Sequence, residues 1–154
     1  MNGNNIYGVE LVSLNVIFDQ RGAVLHMIRS DAPGFSQIGE VYFSEVLPGA
    51  VKAWKRHLRQ SQMLTVPVGR ILIVMFDGRV DSPTYMQIFE LELGRPDMYS
   101  RLKIPPLVWY GFAGIAKVPS LIVNCPDIPH DSTESEKLDF ENGPVAFDWK
   151  GKFI

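Results

Sequence analysis

Nine consecutive residues, Val51-Lys52-Ala53-Trp54-Lys55-Arg56-His57-Leu58-Arg59, carry four basic side chains and a histidine with no acid among them. Read as a strand, the segment puts Ala53, Lys55, His57 and Arg59 on one face and Lys52, Trp54, Arg56 and Leu58 on the other. Both faces are then cationic, and unpaired charge is poor core material. The charge must be answered by solvent, by acids elsewhere such as Glu40 or Asp131, or by an anionic ligand. An edge strand guarded by Lys and Arg is the plainest reading. The chemical reading is acid–base work: His57 titrates near neutral pH unaided, whereas Lys55 needs cationic neighbours to lower its pKa. Tyr110 can donate a proton or a hydrogen bond.

Two other segments hold reactive types. In Asn124-Cys125-Pro126-Asp127-Ile128-Pro129-His130-Asp131 the neighbouring His130 and Asp131 point apart on an extended chain, so the segment reads as a proline-braced loop. Cys125 is alone in the chain and reads as a buried small residue. Residues 131–141 hold five acids and one lysine and read as a solvated acidic surface loop.

The spacing sharpens the first segment. Gly49, Lys55, His57, Gln62 and Gly69 form Gly-x5-Lys-x-His-x4-Gln-x6-Gly, which resembles the first cupin motif, Gly-x5-His-x-His-x3,4-Glu-x6-Gly. Pro105 to Tyr110 is a weak counterpart of the second, Pro-x-Gly-x2-His. The metal-ligand slots then hold Lys55, His57, Gln62 and Tyr110. An ammonium cannot coordinate and an amide binds borderline metals poorly, so the resemblance implies a cupin pocket with no metal and no other cofactor.

Further matches run along nearly the whole chain. Phe18-Asp19-Gln20-Arg21-Gly22, Gly49 to Lys55, Phe76-Asp77-Gly78-Arg79-Val80-Asp81-Ser82-Pro83-Thr84-Tyr85, Ile104 to Phe112, and Phe147-Asp148-Trp149 resemble segments of the dTDP-4-dehydrorhamnose 3,5-epimerase family. The Asp-x-Arg-x-x-Ser-Pro-Thr turn is the most specific of them. The resemblance implies proton abstraction beside a C4 ketone, a nucleotide-diphosphosugar substrate and a homodimer that exchanges N-terminal strands. It aligns Arg21 and Lys52 with diphosphate-binding arginines, the base with Lys55, the polarising lysine with Gln62, and the second histidine with Tyr110. The tyrosine acid falls at about Val123 and the orienting aspartate at about Asn142. The family's dyad is therefore altered. On chemistry we expect His57 as base, Lys55 polarising the ketone and Tyr110 as proton donor, with Arg21, Lys52, Arg59, Gln62 and Asn142 binding substrate. A non-catalytic cupin that binds a nucleotide sugar or another anion is the alternative, followed by a metal-dependent cupin.

The elements that must hold these residues are short. Stretches 23–28, 39–47, 51–58, 63–68, 70–76, 86–93, 107–112 and 120–125 read as strands, separated by turn signals such as Leu47-Pro48-Gly49 and Phe76-Asp77-Gly78. One helical turn is expected near 97–102. The expected fold is all-β, a cupin-type jelly roll or double-stranded β-helix barrel, as a single domain over 1–154. Fifteen Lys and Arg against seventeen Asp and Glu give a net charge of −2, which argues against a nucleic-acid partner. The longest apolar run, Ile71 to Phe76, is too short to span a bilayer. With no basic n-region at its start and a single cysteine, the chain is expected in the cytoplasm, with no membrane partner.

Overall fold

A computed structural model describes residues 5–152 of the chain. All eight expected strands form, and four more join them. In chain order they are β1 (Glu10–Ser13), β2 (Val16–Asp19), β3 (Gly22–Leu25), β4 (Tyr42–Val46), β5 (Val51–His57), β6 (Gln62–Val68), β7 (Arg70–Phe76), β8 (Ile88–Gly94), β9 (Ser100–Ile104), β10 (Trp109–Gly114), β11 (Ser120–Asn124) and β12 (Ser135–Lys137). One five-stranded sheet runs β1-β9-β6-β11-β4 and the other β12-β5-β10-β7-β8, while β2 and β3 form a separate hairpin. The two antiparallel sheets face each other as a cupin-type jelly roll.

The core lies between them. Val46, Leu64, Val66, Leu102, Ile104 and Ile122 from the first sheet meet Ile71, Ile73, Met75, Leu91 and Leu93 from the second. From Ile71 onward strand β7 is apolar because both of its faces are covered. Ile71, Ile73 and Met75 point into the core, while Leu72, Val74 and Phe76 pack beneath Phe147 and Trp149 of the C-terminal segment.

The helical turn expected near 97–102 does not form. Gly94 and Met98 exchange two 3.0 Å backbone hydrogen bonds in a tight hairpin, and the chain enters β9, where Leu102 and Ile104 are buried with period two. The acidic surface loop expected over 131–141 is also only partly that. Its middle is β12, paired along the edge of β5 with Ser135 opposite His57 and Lys137 opposite Lys55, and Glu134 just before it is buried.

The most specific sequence match, around Asp77, builds scaffold. The buried Asp77 carboxylate accepts from the Arg79 backbone and guanidinium and from the Ser82 and Thr84 hydroxyls. Burial alone would raise its pKa, but these donors hold it well below the usual carboxylate range. Arg79 and Thr84 in turn bond the backbone of Tyr7, which ties the N-terminal segment to this turn. Among the described residues no helix is long and apolar enough to cross a membrane.

Candidate active site

Strand β5 departs from simple alternation at its centre. Lys55 pairs with Tyr110 and Lys52 with Phe112, so Ala53 and Trp54 together face Gly111. Two residues against one make a bulge, which resets the parity of the strand. The sequence expectation of Lys52 and Lys55 on opposite faces therefore fails: both line one cavity. Trp54 is turned outward to pack edge-on against Trp149, with centroids 5.3 Å apart. The bulge depends on Gly111, where a Cβ would lie 2.3 Å from the Ala53 Cβ.

The cavity, of about 670 Å³, opens between the sheets, a size suited to a ligand of cofactor dimensions. Lys52, Lys55 and Lys137 give its wall positive charge, with Tyr42 and Asn124 from the first sheet and Tyr110 from the second. A neighbouring space of about 320 Å³ is walled by Glu40, Tyr42, Lys55, His57, Gln60 and His130. Tyr42 and Lys55 belong to both walls, so the two spaces meet at these side chains.

His57 walls the smaller space with both ring nitrogens engaged. Nδ1 lies 2.7 Å from Glu134 Oε2, and Nε2 lies 3.2 Å from the Tyr110 hydroxyl. The other Glu134 oxygen accepts the backbone N–H groups of Arg59 and Gln60, each at 2.7 Å. Burial would raise the Glu134 pKa, but those N–H groups and His57 hold it below the ordinary glutamate value, so it is a carboxylate. A carboxylate on Nδ1 fixes the proton there and leaves the Nε2 lone pair to accept from Tyr110. Burial pushes the His57 pKa down, with Lys55 and His130 adding to it, against the opposite pull of Glu134. The imidazole is therefore neutral near pH 7. Burial drives the Tyr110 hydroxyl far above its ordinary pKa and keeps it protonated. Lys55 is lowered by burial and by Lys137, against the pull of Glu134 and Glu40.

The other expected site residues are dispersed within the chain. Gln62 is buried beneath the cavity wall in a hydrogen-bonded chain with Gln60 and Asn124, so its amide is committed to the protein. Arg59 is exposed and paired with Asp131 at 3.1 Å, one of the two acids anticipated for this segment. Arg21 lies on the exposed β2–β3 hairpin, paired with Asp19. Asn142 is exposed in a 3-10 turn over Phe140–Asn142 and leaves His57 to another acid. That acid, Glu134, was missed because it sits in a polar stretch with no alternation of its own. Nothing in its type or spacing set Glu134 apart from the other four acids of this stretch. Cys125 is buried and free, as expected. Among the described residues no group of three or more His, Cys, Asp or Glu converges on a metal-sized site.

Residues 4–154 match the family described as dTDP-4-dehydrorhamnose 3,5-epimerase. A dTDP sugar isomerase of known crystal structure from Desulfovibrio desulfuricans G20 is 51% identical with a TM-score of 0.92, over 95% of this chain and 93% of that one. A probable low-salt glycan biosynthesis epimerase of Haloferax volcanii is 34% identical over 152 residues, 96% of this chain and 97% of the relative. A spore coat polysaccharide biosynthesis protein of Bacillus subtilis is 25% identical over 150 residues, 96% of this chain and 99% of the relative.

Proposed function

The chain belongs to the dTDP-4-dehydrorhamnose 3,5-epimerase family, and from that membership we propose a metal-independent epimerase or isomerase of a nucleotide-activated 4-keto sugar that works by proton abstraction next to the ketone. The observation that carries this reading is the buried Glu134–His57 pair, with the second imidazole nitrogen turned toward a cationic, tyrosine-lined cavity. Glu134 holds His57 in the tautomer whose Nε2 is basic, and stabilises the imidazolium formed once it takes a proton. Lys55 offers its ammonium to the keto oxygen, where negative charge develops in the enolate. The Tyr110 O–H, displaced from Nε2 when the base takes its proton, can hydrogen-bond the same oxygen from the side of the base.

Lys52 and Lys137 supply charge for the diphosphate. The surroundings of His57 support metal independence: Glu134 takes Nδ1, the Tyr110 phenol takes Nε2, and although Glu40 and His130 wall the same space, no three metal-ligating side chains converge there among the described residues. Arg21 joins the site in this reading when the β2–β3 hairpin of one copy reaches a second, and a homodimer is proposed accordingly. Ile17, Phe18 and Val24 expose 57%, 68% and 60% of their surface on that hairpin, apolar area that a partner would cover. The lone buried thiol of Cys125 suits a reducing compartment, and we place the enzyme in the cytoplasm.

The test is incubation with a panel of 4-keto nucleotide sugars in D2O. Deuterium entering at C3 or C5 of one of them is the expected result. Tight binding of such a sugar with no exchange would instead identify a binding protein.

A further inference from the structure

Inversion at a carbon needs one group to remove a proton and another to return one on the opposite face. His57 and Tyr110 cannot divide this work, because Nε2 and the Tyr110 hydroxyl are 3.2 Å apart and their rings are nearly parallel, with an interplanar angle of 15°. They address the same side of a bound sugar. Resting on the reading above, we infer that Tyr42 is the proton donor on the opposite face.

Tyr42 opens β4 at the edge of the first sheet, whereas His57 ends β5 in the second. The two side chains wall the same small space, and Tyr42 also lines the larger cavity. It is 36% exposed, so a ligand can reach it.

The protein also fixes the direction in which its hydroxyl proton points. The Ile128 carbonyl can only accept, so Gln60 turns Nε2 toward it at 2.6 Å and presents Oε1 behind. Gln62 must then donate from Nε2 to Gln60 Oε1 at 2.6 Å and present its own Oε1. Asn124 must donate from Nδ2 to Gln62 Oε1 at 2.5 Å, which carries that nitrogen's second hydrogen to the Tyr42 oxygen at 2.8 Å. The chain imposes this orientation even though it leaves the buried Asn124 Oδ1 without a partner among the described residues. The Tyr42 oxygen therefore accepts, and its own O–H is free to point at a ligand. The same Asn124 donor stabilises the phenolate left behind when that proton departs.

The transfer balances. His57 Nε2 takes the proton from the carbon beside the ketone, and the C–H electron pair becomes an enolate with its charge on the keto oxygen. The Tyr42 O–H bond breaks as a C–H bond forms on the other face. Imidazolium and phenolate are then reset by exchange with water.

Tyr42→Phe, assayed in D2O with a keto-sugar that the wild type inverts, tests the assignment. We expect formation of inverted product to fall at least about 10²-fold, in line with loss of a general acid. Solvent deuterium should still enter the uninverted sugar through His57, which also certifies a folded site. Inversion within tenfold of wild type would overturn the assignment, as would parallel loss of exchange and inversion, which would place Tyr42 with binding or with the base. A wild-type protein that exchanges no keto-sugar would overturn the functional reading itself, and the role of Tyr42 with it.

Discussion

Glu134 and His57 stand 77 positions apart in the chain and 2.7 Å apart in the fold, with side chains 2% and 6% exposed. Removing the charge of the acid while keeping its shape isolates what it does for the base. Glu134→Gln should lower kcat by roughly 10²-fold or more with KM nearly unchanged, because the imidazole loses both its fixed tautomer and the partner of its imidazolium. The amide also meets the Arg59 and Gln60 N–H groups less well, so the unfolding free energy should fall by about 1–3 kcal/mol in chemical denaturation. Full activity in this variant would leave the pair a purely structural contact.

The pH dependence follows from the lowered pKa of His57. The base is active when neutral, so the acid limb of kcat/KM should lie below the ordinary histidine value of 6.5. The stability term has the matching sign. Between the folded value and 6.5 the unfolded chain binds a proton that the folded one refuses, so stability attributable to His57 is present above 6.5 and is lost as pH falls through that window. His57→Gln should flatten this part of a stability-against-pH curve. An acid limb above 6.5 would show that Glu134 outweighs burial.

Much of this site was legible in the residues. The cationic run, the place of His57 within it and the fold class all follow from types, spacing and turn signals. Glu134 was not legible, because a strand of three polar residues, Ser135–Lys137, exists only by pairing with β5. The Asp77 turn carries the family resemblance without being part of the site. A highly specific motif invites a functional reading, yet its side chains hydrogen-bond one another and Tyr7 and form scaffold. The bulge in β5 was hidden for a third reason, since it is set by a glycine on the neighbouring strand.

That glycine gives a packing prediction. Gly111→Ala places a Cβ against the Ala53 Cβ, with Trp149 also within 3.0 Å, and should destabilise by about 1–3 kcal/mol through overpacking. Ala53→Gly should recover part of the loss, so that the double variant is more stable than the sum of the two changes. Strict additivity in thermal unfolding would mean that the two positions do not meet.

The cationic wall gives a binding prediction. Lys52 reaches the cavity while donating to the Glu45 carbonyl at 2.6 Å, and it is the lysine best placed to trade that contact for a diphosphate oxygen. Lys52→Ala should weaken a nucleoside-diphosphosugar by about 1.5–3 kcal/mol, roughly 10- to 150-fold in Kd by calorimetry. Unaltered affinity would move the diphosphate elsewhere.

The central claim is that His57 is the base, and deuterium uptake by single variants tests it most directly. With a keto-sugar that the wild type labels in D2O, His57→Ala should abolish incorporation at the carbon beside the ketone. Lys55→Gln should slow incorporation and still bind the sugar. Normal labelling by His57→Ala together with an inert Lys55→Gln would contradict the account and transfer the role of base to Lys55.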